Sequence, residues 1–200
     1  MNIKSEKLFQ LLSKIIFGLY ICLLVWVVVF KCNLINSVTQ TYEYFKSFTL
    51  AERFNFYLVP FKDYFEGPFL VQIRTIIEDD ILNLLLFVPF GMYLTLFIKK
   101  GSLYKVIILT FVLSLFFESF QLFSLIGSFA TKDLITNVLG SLLGYLICKL
   151  VYKEKNGTLK LMILNIISII VICVVLPIVV FSIYNTIKNI NIYFEIIFRI

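Results

Sequence analysis

Apolar residues come in five long runs along this chain, at about 15–30, 81–98, 106–126, 133–151 and 161–184. Each is near the roughly 20 residues that a helix needs to cross about 30 Å of hydrocarbon. None alternates polar and apolar positions as a membrane strand would, and helices satisfy every backbone group within one segment. The pattern therefore predicts five helical spans, the last containing Pro177. The first run has the basic start of a signal peptide. It continues into Lys31-Cys32-Asn33 rather than a small-residue cleavage site, so it reads as a retained span.

The segment 32–80 follows a different pattern. Aromatic residues such as Tyr42, Phe45, Phe54, Phe56 and Phe61 are mixed with charges. Rings with polar neighbours favour the headgroup layer. One or two interfacial helices are expected there, with a surface or re-entrant turn at Pro60-Phe61. The tail, about 190–200, has the same interfacial character. The fold class is thus all-α, a polytopic membrane helix bundle forming one domain over 1–200.

Composition supports this class. The chain is 60% hydrophobic, 17% aromatic and 15% charged. A soluble domain is nearer 45–50% apolar and about 25% charged, and disordered chains are poor in aromatic residues. There is no histidine, which excludes histidine acid–base catalysis and histidine-ligated zinc. Cys22, Cys32, Cys148 and Cys173 show no C-x-x-C spacing. Neither a disulfide framework nor a metal site is expected, and no cofactor is called for.

The net charge of +6 does not point to nucleic acid, because the lysines flank apolar runs. Lys4, Lys7 and Lys14 precede the first span. Lys99, Lys100 and Lys105 lie between the second and third, and Lys149, Lys153, Lys155 and Lys160 between the fourth and fifth. These short segments contain only two acids, Glu6 and Glu154. The positive-inside rule then places the N-terminus in the cytoplasm of a cell membrane and the C-terminus outside.

Polar groups at membrane depth are costly, so their placement is informative. Asp79, Asp80 and Asn83 open the second span, Glu118 and Gln121 lie late in the third, and Asp133 and Asn137 open the fourth. With the direction above, all seven fall near the outer face. Asp79/Asn83 and Asp133/Asn137 are i,i+4 and Glu118/Gln121 are i,i+3, so each pair shares a helix face. D-x-I-x-N-x-L occurs twice, from Asp79 and from Asp133. Of these, Asn83, Glu118, Gln121, Asp133 and Asn137 line a candidate ligand site, with Arg53 and Arg74 at its rim to meet phosphate or carboxylate groups. Glu118 is expected to pair with a cation (Lys132, Arg74 or Arg53), to accept from amide donors, or to stay protonated. Gly140 and Gly144 form a small-xxx-small face for helix packing, and Pro89 and Gly91 are assigned to packing at a kink. The polar groups stop in the outer half, which argues against a transporter.

The chain resembles the VanZ-like family of bacterial membrane proteins from about residue 10 to about 152. The resemblance rests on Phe56-Tyr57-Leu58-Val59-Pro60-Phe61, on Asn83 through Phe87 to Pro89-Phe90-Gly91, on Glu118-Ser119-Phe120-Gln121, and on Asp133 through Asn137 to Gly140 and Gly144. Tyr57 stands where the family usually has asparagine. Gly127 and Ala130 stand where it often has arginine and aspartate. The span at about 161–184 lies outside the matched region.

The resemblance implies a role at the cell envelope in resistance to glycopeptide antibiotics of the teicoplanin type. The leading expectation is an integral membrane protein that binds an amphiphilic or lipid-linked ligand at the outer leaflet. The alternatives are an enzyme on a lipid-linked envelope intermediate using carboxylate acid–base chemistry, and a non-catalytic accessory subunit. No nucleophile stands in a recognisable setting.

Overall fold

The computed structural model of the chain describes residues 3–30, 56–62, 68–98, 102–124, 127–151 and 157–188. Six helices and one two-stranded sheet account for most of these residues. Helix α1 is Ile3–Phe30 and β1 is Phe56–Tyr57. Helix α2, Phe69–Thr75, passes through a π-helical segment, Ile76–Ile81, into α3, Leu82–Phe97. Helix α4 is Leu103–Phe123, β2 is Phe129–Ala130, α5 is Thr131–Val151 and α6 is Gly157–Lys188. The fold is an all-α bundle. Most of the expected interfacial segment, residues 31–55 and 63–67, lies outside the described residues, as does the tail from 189.

Four helices are long and apolar enough to cross a membrane: Leu11–Val29, Leu103–Phe123, Thr131–Leu150 and Leu161–Phe181. The second expected span is realised differently. Leu82–Phe97 has 16 residues, about 24 Å of helix against about 30 Å of hydrocarbon. Its length is made up by the π segment and α2, which continue the same rod. The short helix is also the central one. It packs along α5 and touches α1, α4 and α6, so Leu86, Phe87, Val88, Met92 and Tyr93 are all buried. A helix apolar all round suits that position.

Contacts fix the helix directions. Phe17 and Tyr20 of α1 meet Tyr93 and Leu86 of α3, so those helices run antiparallel. Asn165 Nδ2 of α6 donates to Ser13 Oγ of α1 at 2.7 Å, early in both helices, so these run parallel. Ser168 Oγ donates to the Tyr93 hydroxyl at 3.5 Å. Helix α6 is thus held by polar contacts as well as by Val171, Val175 and Val179. Small residues let α3 and α5 approach closely. A Cβ on Gly140 would collide with the Leu84 carbonyl oxygen, one on Gly144 with that of Val88, and one on Gly91 with that of Ser141.

Pro89 removes a helical donor within α3. Tyr20, fully buried, reinforces the adjoining turn by donating its hydroxyl to the Leu86 carbonyl at 2.5 Å. Tyr20→Phe keeps the ring and removes the extra donor to the Leu86 carbonyl. We expect it to lower stability by about 1–2 kcal/mol, measured by thermal unfolding in detergent. Parent-like stability would show that the hydroxyl is dispensable.

The sheet joins distant parts of the chain. β1 pairs with β2 in parallel, Phe56 with Phe129 and Tyr57 with Ala130. After β1 the chain turns at Pro60-Phe61, and Phe61 adopts a φ of 61°. That left-handed conformation is an outlier for a bulky residue. It marks a turn held in place by its surroundings.

Candidate functional site

On α5, Asp133, Asn137 and Ser141 recur every four residues and so share a face. On α4, running the other way, Thr110, Ser114 and Glu118 do the same. The two stripes meet as a ladder. The Ala130 N–H, just before α5, donates to Glu118 Oε2 at 2.8 Å. Asn137 Nδ2 donates to Ser114 Oγ at 2.8 Å, and Thr110 Oγ1 donates to Ser141 Oγ at 2.8 Å. All six side chains are at most 1% exposed, so they turn to each other and away from lipid.

Glu118 sits at the N-terminus of α5. Unpaired N–H groups and the helix dipole favour a negative charge at that position. Just after Ala130 in sequence, Lys132 and Asp133 occupy the first turn of α5, both buried. Lys132 Nζ lies 3.7 Å from Asp80 Oδ1. Asp80 is 6% exposed and belongs to the π segment that leads into α3. The carboxylates therefore gather at one end of the bundle, called here the carboxylate end. The opposite end, where α3 ends and α4 begins and where α5 ends and α6 begins, carries Lys105 and Lys149.

Gln121 has turned elsewhere. Its Nε2 donates to the carbonyls of Val28 and Val29, at 2.5 and 3.2 Å, where α1 finishes. It ties α1 to α4, and Gly127 packs against its side chain. Its Oε1 and Asn137 Oδ1 are buried and meet no donor among the described residues. Over this end lies β1. Phe56, Tyr57, Leu58 and Val59 are exposed, and the Phe56 and Phe129 rings stand 6.0 Å apart. Phe69 and Leu70 of α2 are exposed as well.

Of the sequence-derived site residues, the structure brings Glu118, Asp133 and Asn137 to the α4–α5 seam and Gln121 to the α1–α4 seam. Asn83 is half-buried on α3. Arg74 lies on α2, but its side chain is not among those described, nor is that of Asp79, and Arg53 lies outside the described residues. Sequence reasoning left Asp80 off the ligand site and missed Thr110, Ser114 and Ser141. The spacing 110/114/118 was the available signal. The polar groups also reach further than expected. The Thr110–Ser141 rung lies two turns below Glu118, about 12 Å deeper, so the polar seam does not stop in one half of the bundle.

Carboxylates, amides, hydroxyls and one ammonium can bind donors and charges and exchange protons. Among the described residues no three histidine, cysteine or acidic side chains are placed to hold a metal ion. Cys22, Cys148 and Cys173 are not in disulfide bonds.

The VanZ/LLP1 family model matches residues 17–152. That stretch holds the ladder, the Asp80–Lys132 pair and the sheet, and leaves out α6. Protein VanZ of Enterococcus faecium is 31% identical over 147 residues, covering 74% of this chain and 80% of that protein. No solved structure matches the chain.

Proposed function

From the chain's place in the VanZ/LLP1 family, to which it belongs, we propose that it lowers sensitivity to teicoplanin-type glycopeptides by holding an amphiphilic or lipid-linked ligand at the outer leaflet. In this reading the lysine end is cytoplasmic, following the positive-inside rule, and the carboxylate end faces outward. The N-terminus is then inside and α6 runs outward.

One observation supports the reading most. Four separated stretches of sequence meet at the carboxylate end. The sheet brings 56–61 onto Ala130, whose N–H is held by Glu118. Asp80 reaches Lys132 at the start of α5. The glycines of α5 lock α3 alongside it. Ionisable groups at membrane depth are costly, and those that are kept there tend to mark functional sites. The exposed apolar rim of β1 offers a surface for the tail of an amphiphile, next to buried groups that can read its head.

The test is resistance itself. In a host where the parent protects, Glu118→Gln and Asp133→Asn are each expected to return teicoplanin sensitivity to the level of cells lacking the protein. Membrane abundance must match the parent. Unchanged protection in both variants refutes the assignment.

A further inference from the structure

We propose that residues 56–59 are seated in the lipid leaflet at the carboxylate end, with their side chains between the headgroups and the first part of the acyl chains. The partner of this exposed apolar surface is then the bilayer itself. The inference goes beyond the preceding reading, since it needs only a bundle that spans a membrane and holds whatever ligand the protein takes.

Depth is the first ground. Thr131–Leu150 is long and apolar enough to cross a membrane, and a helix of that length covers about 30 Å, the thickness of the hydrocarbon. Ala130 stands immediately before it. Tyr57 pairs with Ala130 and Phe56 with Phe129, which places β1 about 5 Å to the side of that point. β1 therefore lies at the level where hydrocarbon gives way to headgroups. It is also the outer layer there. Residues 127–138 include no exposed position, whereas Phe56, Tyr57, Leu58 and Val59 are each more than half exposed.

The pattern of exposure gives a second ground. Successive side chains of a strand point to opposite faces. Phe56 and Tyr57 are both exposed, so the bundle claims neither face of β1. Leu58 and Val59 carry the run on to the turn at Pro60-Phe61. Four consecutive apolar residues open to water are unfavourable and mark a surface that something apolar covers. Lipid covers both faces of a strand at once, which one docked helix does not.

The third ground is the neighbouring helix. α4 ends at the same level, since Glu118 accepts from the Ala130 N–H, and its Phe116, Phe120 and Phe123 are exposed. Those rings stand on a helix long enough to span, so this level of the bundle already meets lipid through α4. The sheet in turn limits the depth. Among the described residues it has two strands, which leaves β1 an edge without a strand partner. Hydrocarbon does not tolerate unpaired backbone groups, whereas the headgroup layer hydrates them, and a tyrosine such as Tyr57 favours that layer. The seat is therefore shallow, about 5–10 Å into the boundary of headgroups and acyl chains. Under the proposed function, an amphiphile then approaches the carboxylate end from within the leaflet, a consequence that rests on that reading.

The experiment uses the full chain in phosphatidylcholine vesicles. Trp26 is the single tryptophan, so in a Trp26→Phe background Leu58→Trp supplies the one indole. Its emission is followed with lipids brominated near the glycerol end or near the methyl end of their acyl chains, and with iodide present on both sides of the membrane. Lipids brominated near the glycerol end are expected to quench it at least about twofold more than iodide does, and more than lipids brominated near the methyl end. Val59→Trp is expected to behave alike, and it decides if Leu58→Trp yields no folded protein on size-exclusion chromatography. Stronger quenching by iodide than by lipid overturns the proposal, because the segment then faces water. Weak quenching by every agent also overturns it, because protein, from the same chain or a second copy, then covers the segment. Quenching that is strongest from the methyl end overturns the shallow seat. No antibiotic enters the measurement, so its outcome is separate from that of the resistance test.

Discussion

Gly144→Ala is expected to cost about 1–3 kcal/mol, lowering the unfolding temperature by roughly 3–10 °C. The added methyl would sit on the Val88 carbonyl oxygen and within 2.9 Å of the Met92 backbone nitrogen. Backbone cannot rotate aside as a side chain can, so α3 and α5 must separate along their whole contact. That interface contains Gly91, Gly140 and Gly144 against the Ser141, Leu84 and Val88 carbonyls, so relief at one point strains the others. Gly18 supplies the control, since a Cβ there meets nothing within 4 Å. Gly18→Ala should be neutral or slightly stabilising, given alanine's higher helix propensity. Both variants can be compared as fluorescent fusions heated in detergent and resolved by size-exclusion chromatography. If Gly144→Ala and Gly18→Ala melt together, the close approach of α3 and α5 is not real.

The Glu118 series has the largest expected effect on function. Glu118→Ala removes the acceptor for the Ala130 N–H and opens a hole at 1% exposure. A buried donor left unsatisfied costs about 1–3 kcal/mol, and the cavity adds to it. Glu118→Gln keeps an oxygen for that N–H and nearly the same volume, so it should melt within about 1 kcal/mol of the parent. Protection against teicoplanin, under the proposed function, should disappear in both. The split matters because stability alone would order the variants parent, Gln, Ala. A graded loss of protection following that order would make Glu118 a structural acceptor at the head of α5. Abrupt loss in Glu118→Gln, with stability kept, would assign the work to its charge.

Much of the architecture was legible in the residues. Lipid accepts a helix only if it is long and apolar enough, so the runs at 15–30, 106–126, 133–151 and 161–184 marked the four long helices. The run at 81–98 was read as a complete span and proved to be half of a longer rod. Asp79 and Asn83 stand i,i+4 and were placed on one α-helical face; Asp80, which was left off the site, is buried and meets Lys132. The π segment Ile76–Ile81 has a wider turn. It departs from the 3.6-residue register, so α-helical spacing alone does not fix the inward face there. Serine and threonine were passed over for a different reason. They are common in membrane helices and barely change hydropathy, so Thr110, Ser114 and Ser141 gave no contrast in hydropathy, and the four-residue spacing of Thr110 and Ser114 to Glu118 was the one trace they left.

The sequence by itself determined that the chain is an α-helical membrane protein, and the separate pieces that relate it to its family. Length, hydropathy and residue order are properties of single segments, and single segments suffice for those conclusions. Only the tertiary structure decided which segments touch: α5 against α3 through glycines, α4 against α5 through polar rungs, Gln121 against α1, and Lys132 against Asp80. Lipid tails and helix interiors are both apolar, so hydropathy cannot tell a lipid-facing side from a protein-facing one. That choice is made by close packing and by the pairing of buried polar groups, and both require two helices to be present.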